Sequence, residues 1–289
     1  MRIGLQVPSF TFPGGAGRIA AEYGRMAREA DQAGLDSLWV MDHFFQIQSV
    51  GSAEEPMLES YSALAYAAAL TTNITLGTMV TGVSYRSPGL LVKTVTTLDV
   101  LSGGRAWLGV GAAWNDEESR GLGLNFPPTA ERFELLEDAL RLAHRMWKGD
   151  ESAFEGARVS AERPLNSPQS LRRPHPPILV GGMGEKKTLR FVAKYADACN
   201  IFDGDQLPHK LDVLREHCER EGRDYADIEK TSLTTLPEGG SAGQAVETAG
   251  RLAEAGIDHV IFSQRPGQDI ASLLGGARAE VEKIVPAGR

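Results

Sequence analysis

Cysteine is scarce in this chain, since only Cys199 and Cys218 occur among its 289 residues. The two lie far apart in sequence and match no metal-binding or redox spacing. The histidines likewise show no H-x-x-x-H or related pattern. We therefore expect two buried thiols in a reducing cytoplasm, and no metal site.

Basic clusters and long apolar runs are also missing. The formal net charge is −8 and no segment is rich in Lys or Arg, which argues against binding to nucleic acid or to a membrane surface. No apolar run approaches the length of a membrane span, and the N-terminal "MRIGLQVPSF" is too short for a signal peptide. With 42% hydrophobic and 24% charged residues, the composition is that of a globular protein with one large domain or two small ones.

Short apolar or β-branched runs alternate with longer segments of helical period. Eight runs predict strands, and each is followed by a helical pattern; the runs cover residues 3–7, 38–41, 74–80, 106–110, 178–180, 198–202, 228–236 and 259–263. Ser241 and Gln244 have the spacing of a capping box at the start of the seventh helix. This alternation predicts an α/β fold, the (β/α)8 TIM barrel, with a doubly wound parallel sheet as the alternative.

Residues 149–177 interrupt the alternation. They contain "ERPLNSPQSLRRPHPP", which is rich in proline and polar residues and has no periodicity. Because the alternation resumes at once, we interpret this segment as an irregular excursion between the fourth helix and the fifth strand. We expect a single barrel domain over residues 1–289 with this excursion inside it. We also expect the excursion, with the loop near residues 46–56, to determine the substrate.

An acid and an imidazole follow the second predicted strand directly. In the stretch "SLWVMDHFFQ", Asp42 and His43 stand where the apolar run ends. In a barrel the C-terminal ends of the strands carry the chemistry, so both residues would lie at the barrel mouth. Imidazole is well suited to proton transfer near neutral pH. A structural histidine beside an N-capping aspartate is the alternative that the pattern leaves open.

Glycines collect at the ends of the third and fourth strands. Thr81 and Gly82 are poor choices for a packed strand and indicate either a β-bulge or a ligand contact. Gly109 and Gly111 do not form a dinucleotide fingerprint, because Trp114 stands where its third glycine belongs.

Two further stretches are typical of strand-to-helix turns. Residues 115–118, Asn-Asp-Glu-Glu, predict a helix start with acids in its first turn. After the fifth strand, Gly181, Gly182 and Gly184 precede a helix, where backbone N–H groups could hold a phosphate. A tight turn without a ligand is the alternative at these glycines.

Four stretches together resemble the luciferase-like monooxygenase superfamily, and most closely its coenzyme F420-dependent oxidoreductases. They are "WVMDHFF", "LGTMVTGVSYRSPGLLVKTVTTLDVLSGGRAWLGVGAAWNDEE", "PPILVGGMGEKKTLR" and "YADACN". The resemblance spans nearly the whole chain. It implies the (β/α)8 fold and a deazaflavin or flavin ring that lies in the barrel mouth.

The resemblance also implies a cofactor site with one catalytic histidine. His43 matches the family histidine proposed for proton handling, and Asp42 matches the acid that meets the cofactor ring beside it. The peptide between Met79 and Val80 matches a non-proline cis peptide that backs the ring. Other positions that match cofactor contacts are Thr81, Gly111, Ala112, Ala113, Val180, Gly181, Gly182 and Met183.

One position departs from this pattern. Related sugar-phosphate and alcohol dehydrogenases carry a glutamate in the turn after the fourth strand, where it can donate a proton, but this chain has Trp114 there. The chain also shows no obvious basic trio for a sugar phosphate. Both features argue against a substrate of the glucose-6-phosphate type.

These observations together predict a cytoplasmic F420-dependent oxidoreductase. A hydride would move between the deazaflavin and a small organic substrate, with a residue of the site handling the proton. The alternatives are an FMN-dependent monooxygenase and a cofactor-binding protein without turnover. We further expect a homodimer with a small-molecule substrate and with no nucleic-acid or membrane partner.

Overall fold

The parallel strands of this protein close into a barrel. The computed structural model describes residues 1–265 and 268–284, and nine parallel strands of that part share one sheet. They are β1 (Arg2–Val7), β2 (Ser37–Val40), β3 (Thr75–Thr78), β4 (Thr81–Gly82), β5 (Leu108–Gly111), β8 (Ile178–Gly181), β9 (Ala198–Phe202), β10 (Glu229–Thr235) and β11 (His259–Ser263). A separate antiparallel pair, β6 (Phe154–Glu155) and β7 (Ser160–Ala161), lies in the excursion.

Both ends of the sheet belong to one stretch of chain. The strand order is β3-β2-β1-β11-β10-β9-β8-β5-β4, and β4 follows β3 almost directly in sequence. Leu76 of β3 also bridges in parallel to Ala106, and the N–H of Trp107 donates to the Leu76 carbonyl at 2.8 Å. The sheet therefore closes on itself, which confirms the predicted TIM barrel. The alternative of an open doubly wound sheet is wrong, because such a sheet keeps two free edges.

Helices follow the barrel strands and surround them. They are α1 (Ile19–Gln32), α2 (Ser60–Leu70), α3 (Pro88–Ser102), α4 (Asp116–Gly121), α5 (Thr129–Trp147), α6 (Thr188–Tyr195), α7 (Leu207–Glu221), α8 (Ala242–Glu254) and α9 (Ala271–Ile284). The predicted capping box at α8 is confirmed: Ser241 Oγ accepts from the Gln244 N–H at 3.3 Å, and Gln244 Oε1 accepts from the Ser241 N–H at 2.9 Å.

Helix α1 shows how the apolar period positions a helix on the barrel. Tyr23, Met26, Ala27 and Ala30 recur at helical spacing and are buried, whereas the opposite face carries charged residues. After the helix, Gly34 adopts a φ of 74°, a conformation that glycine reaches at little cost. The turn then leads directly into β2, whose C-terminal end carries Asp42 and His43.

The interior of the barrel is apolar in its middle and polar at its base. Trp39 and Trp107 pack edge to face with ring centroids 5.7 Å apart. At the base, His259 lies between Ser37 Oγ and Glu229 Oε1, each 2.9 Å from one of its ring nitrogens. Burial lowers the pKa of His259 to about 3, so this imidazole is neutral at physiological pH.

The excursion over residues 149–177 begins and ends at the base of the barrel and runs along the outside of α5, where Arg158 pairs with Glu131 and Glu134. It joins the end of α5 to the start of β8, and in a barrel such helix-to-strand connections lie at the N-terminal face. Asp138 and Asp99 hold it in place, because each accepts hydrogen bonds from two of its backbone amides. No residue of the excursion, which the structure describes in full, lines the cavity at the barrel mouth, so the structure gives no support to the prediction that the excursion helps to determine the substrate.

The two cysteines are placed as the sequence predicts. Cys199 and Cys218 are both buried and unpaired, as predicted, and burial raises the pKa of the Cys199 thiol to about 12. Within the described ranges, no helix combines the length and the apolar character that crossing a membrane requires.

Gly109 is the position where we expect the fold to tolerate a side chain least. A Cβ there would lie 1.9 Å from the carbonyl oxygen of Thr78 on the neighbouring strand. We expect Gly109→Ala to lower the free energy of unfolding by about 3 kcal/mol, at the high end for an overpacked core. Urea denaturation measures this change.

Gly250 provides the matched control, because it lies inside α8 and a Cβ there meets nothing within 4 Å. Gly250→Ala should leave stability unchanged or raise it by up to about 1 kcal/mol, the difference in helix propensity. Equal effects of the two substitutions would contradict the close approach of the two strands.

Candidate active site

A cavity of about 860 Å³ opens at the C-terminal ends of the barrel strands. Most of the residues that the sequence predicts for the site line it, namely Asp42, His43, Met79, Val80, Thr81, Gly111, Ala112, Ala113, Gly181 and Gly182. Two predicted residues lie elsewhere: Val180 is fully buried in the main core, and Met183 packs against that core. Of the loop near residues 46–56, Ile47, Ser49 and Val50 reach the cavity wall.

One wall of the cavity is built around Val80. The Met79–Val80 peptide is cis, as predicted. Glycines face the Val80 side chain from two neighbouring strands, since a Cβ at Gly111 or Gly181 would lie 3.0 or 2.8 Å from its methyl groups. The strands can approach Val80 closely only because these two residues have no side chain.

A buried carboxylate, Glu118, holds His43 in place. Glu118 lies in the first turn of α4 and is 0% exposed. Its Oε1 lies 2.5 Å from His43 Nδ1, and its Oε2 accepts from the backbone N–H groups of Phe44 and Phe45 at 2.7 and 3.2 Å. The hydroxyl of Tyr85 donates to Oε1 at 2.5 Å. These four contacts use the four acceptor positions of a carboxylate.

Glu118 remains ionised near neutral pH. Burial alone would raise the pKa of its carboxyl, but the hydrogen bonds with His43 and Tyr85 and the neighbouring imidazole outweigh burial and lower that pKa overall. An ionised carboxylate only accepts hydrogen bonds, so Nδ1 of His43 carries the proton between them. The Nε2 atom has no hydrogen-bond partner among the described residues, and His43 lines the cavity.

The Asp42 carboxylate points towards the largely buried guanidinium of Arg86 rather than towards His43. Its two oxygens accept from Nη1 and Nη2 of Arg86 at 2.7 and 3.0 Å, and Oδ1 also accepts from the Ser60 hydroxyl at 2.6 Å. Arg86 also pairs with Glu59 and lies over the Tyr61 ring, 4.8 Å from its centroid. The carboxylate that orients the imidazole is therefore Glu118 and not Asp42.

A bend after β5 brings Trp114 beside His43. Ala113 has a φ of 59°, which is uncommon for a residue with a Cβ. The next residue, Trp114, packs its ring edge to face with the His43 imidazole, with centroids 5.4 Å apart. Asn115 then caps α4, as predicted, by accepting from the N–H groups of Glu117 and Glu118.

The glycine-rich turn after β8 leads into α6 beneath the cavity wall. Gly182 has a φ of 125°, and a Cβ at Gly184 would lie 2.8 Å from Thr188 Oγ1, so both positions favour glycine. The N–H of Gly182 donates to the carbonyl of Asn200 at 3.2 Å. That donor is used inside the protein, so free amides for an anion must come from later residues of the turn or from the start of α6.

Sequence reasoning missed Glu118, Tyr85 and Arg86 as parts of the site. Glu118 was interpreted only as an acid in the first turn of a helix. Residues 116–118 are three consecutive acids, and successive helical positions point in different directions, so one of them could be expected to face inward. The pattern gives no signal for which one. Tyr85 and Arg86 lie in the loop that follows the cis peptide, where no motif marks them.

The fold and the cavity define a barrel protein with a glycine-lined wall and a histidine held by a buried carboxylate. The model of the luciferase-like monooxygenase family matches residues 1–269, so this chain belongs to that family.

Several relatives in the family are named F420-dependent glucose-6-phosphate dehydrogenase. The protein of that name from Kineococcus radiotolerans is 32% identical over 231 residues, which cover 76% of this chain and 65% of the relative. The one from Amycolatopsis mediterranei is 32% identical over 211 residues, which cover 71% of this chain and 61% of the relative. The similarity thus spans slightly under two thirds of the length of these relatives.

Solved structures show the same fold at low sequence identity. The F420-dependent tetrahydromethanopterin reductase of Methanopyrus kandleri superposes with a TM-score of 0.78 at 16% identity, over 95% of this chain and 97% of the reductase. An F420-dependent secondary alcohol dehydrogenase gives 0.80 at 17% identity, over 100% and 99%. The FMN-containing Baeyer–Villiger monooxygenase component from Pseudomonas putida gives 0.79 at 18% identity, over 100% and 99%.

The ion pair between Asp42 and Arg86 is expected to stabilise the fold. Arg86 is 12% exposed and Asp42 1% exposed, so Asp42→Ala leaves a largely buried cation without one partner. We expect the free energy of unfolding to fall by about 3 kcal/mol, the low end for a broken buried pair, because Glu59 still contacts Arg86. Chemical denaturation provides the measurement.

Asp116→Ala is the matched control, because Asp116 pairs with Arg120 on the protein surface. Its loss should change the free energy of unfolding by less than about 1 kcal/mol. A loss from Asp42→Ala that is no larger than this would show that the buried pair does not stabilise the fold.

Proposed function

We propose that this protein is an F420-dependent oxidoreductase that transfers a hydride between the deazaflavin cofactor and a small organic substrate. Two observations support this. His43 is held on the wall of a cavity large enough for a ring and a small molecule. The relatives at 32% identity are named F420-dependent, and this similarity favours deazaflavin over FMN.

The wall of the cavity has the form that a flat ring requires. Around Val80, the positions of Gly111 and Gly181 have no room for a side chain, so their backbone and the Val80 methyl groups form this part of the wall. The turn after β8 then meets the N-terminal end of α6, where a phosphate can find amides without intrahelical acceptors. Lys186 and Lys187 are exposed in this turn and can attract an acidic tail.

Each part of the site then has one task. When bound, F420 supplies or accepts the hydride. His43 gives a proton to the substrate from Nε2 when both ring nitrogens are protonated, and takes a proton from the substrate at Nε2 when only Nδ1 is protonated. Glu118 acts as a positioning residue, because it holds Nδ1 and the backbone of residues 44 and 45 together and thereby fixes the direction of Nε2. Thr81 supports the wall beside Val80, because its hydroxyl is hydrogen-bonded to the hydroxyls of Tyr61 and Thr78.

Asp42 supports the site through its contacts with other protein residues. Its carboxylate already has protein partners, so we propose that it acts on the cofactor mainly by fixing the chain that enters the mouth. We also propose that residues 1–289 form one barrel domain with the excursion at residues 149–177 inside it. A homodimer and a cytoplasmic location remain our expectations for the whole protein.

An FMN-dependent monooxygenase is the second candidate, because an FMN-containing enzyme shares this fold.

Cofactor titrations test the proposal. We expect F420 to bind in the low micromolar range or tighter and to bind more weakly as salt rises, because exposed ion pairs are screened. The double substitution Lys186→Ala and Lys187→Ala should weaken F420 binding and reduce its salt dependence. Lys148→Ala is the control, because this exposed lysine follows α5 at the other face of the barrel. Tight FMN binding without F420 binding would replace the proposal with the monooxygenase alternative.

Substitutions of His43 and Glu118 test the assigned roles. With a small ketone or enone that the wild-type protein reduces, His43→Ala should lower kcat roughly 10²–10⁴-fold, the usual contribution of a positioned acid–base group. Its F420 affinity should stay nearly unchanged, whereas its melting temperature should fall, because the buried Glu118 loses one of its hydrogen-bond donors. Glu118→Gln should lower kcat roughly 10–100-fold, as loss of a partner that orients an active group does.

Tyr85→Phe is the control for Glu118, because it removes one donor to the carboxylate and leaves the imidazole contact in place. Its effect on kcat should be smaller than that of Glu118→Gln. If His43→Ala leaves turnover per folded molecule unchanged, whatever its effect on the melting temperature, the catalytic assignment fails.

A further inference from the structure

Two large aromatic side chains lie on the cavity wall with most of their surface uncovered. Trp114 is 63% exposed and Phe202 is 52% exposed, and both line the cavity. The other three tryptophans, Trp39, Trp107 and Trp147, are at most 5% exposed. An aromatic ring left uncovered at a concave site is typical of a surface that a ligand covers.

The chain geometry presents both aromatic residues at the mouth rather than at the base. Trp114 follows the bend at Ala113 beyond the end of β5. Phe202 is the last residue of β9, and its neighbour in the sheet is Leu233 of β10, which also lines the cavity. Trp114 and Phe202 therefore each add apolar surface to the mouth.

The cavity wall offers no cation to a charged ligand. None of the lining residues that the structure describes is Lys or Arg. The two lining acids are neutralised from outside the cavity: Asp42 is paired with Arg86, and Asp203 is paired with Arg251 at 2.6 and 2.9 Å. A phosphate or carboxylate group that entered this part would lose water without gaining a Lys or Arg partner, which is unfavourable.

The His43 imidazole is a polar group that lies beside the Trp114 ring. The Trp114 ring contacts the His43 imidazole, whose Nε2 has no partner among the described residues. A ligand that covers Trp114 with its apolar part can therefore place one polar atom at Nε2.

We propose that the outer part of this cavity binds an uncharged, largely apolar organic molecule that carries a carbonyl group. Its apolar part packs on Trp114 and Phe202, and its carbonyl oxygen accepts a hydrogen bond from Nε2 of His43 when both ring nitrogens are protonated. Sugar phosphates and other anions are excluded. The proposal rests on the proposed function in that it takes this cavity as the substrate site.

A matched pair of aromatic probes tests the proposal. 2-Acetonaphthone is an uncharged aromatic ketone, and 2-naphthoate has the same ring system with a carboxylate. Isothermal titration measures the affinity of each, and of glucose 6-phosphate, with and without F420. The variants are Trp114→Ala, Phe202→Ala and the conservative Trp114→Phe. Leu165→Ala is the control, because Leu165 is an exposed leucine in the excursion, away from the cavity.

We expect the wild-type protein to bind the ketone at least tenfold more tightly than naphthoate or glucose 6-phosphate. Trp114→Ala and Phe202→Ala should each weaken ketone binding roughly tenfold, the effect of losing one aromatic contact. Trp114→Phe should retain most of the wild-type affinity for the ketone, and Leu165→Ala should leave that affinity unchanged. F420 affinity, measured separately, should stay the same in all variants.

Three results would overturn the proposal. They are anion binding as tight as ketone binding, ketone binding that survives both alanine substitutions, and loss of F420 affinity in the aromatic variants without loss of ketone affinity. Failure of the wild-type protein to bind F420 would instead contradict the proposed function. In that case ketone binding without F420 still decides this proposal.

Discussion

A fully buried carboxylate must be surrounded by donors, and much of this site is arranged around that requirement at Glu118. An unpaired charge at such a position would cost several kcal/mol. Glu118 accepts from one imidazole, one phenol and two backbone amides, so its acceptor positions are filled. Satisfying this charge fixes three pieces of chain at once: the start of α4, the turn after β2 and the loop that carries Tyr85.

The barrel makes this arrangement possible because it brings distant segments to one face. His43 and Glu118 are 75 residues apart in sequence, and Tyr85 and Glu118 are 33 apart. Each follows the C-terminal end of a parallel strand, so all three meet at the mouth. The same geometry keeps the excursion at residues 149–177 on the outside of the barrel, where none of its described residues lines the cavity. Closure of the sheet depends in turn on close contacts such as that between Gly109 and Thr78.

The barrel was predictable from the sequence because its signals are local and repeated. Alternating runs of strand and helix period fix the order of elements, and the C-terminal ends of strands then locate the mouth. The Asp42–His43 pair and the Met79–Val80 peptide were found through motifs that occupy consecutive residues. Glu118 was not, because a helix-start acid and a buried partner of His43 look alike in one sequence. Likewise, the family resemblance implies that Asp42 meets the cofactor ring, and only the structure shows that its carboxylate is occupied by Arg86.

The central claim is that Glu118 fixes His43 with its proton on Nδ1 and leaves Nε2 free for the substrate. Nitrogen-15 NMR of the histidine side chains measures this directly, with the His43→Ala spectrum to assign the signal. At a pH where the imidazole is neutral, the account predicts that the wild-type protein shows His43 protonated on Nδ1 and that Glu118→Ala loses this preference. A His43 protonated on Nε2 in the wild-type protein, or a tautomer unchanged by Glu118→Ala, would contradict the account.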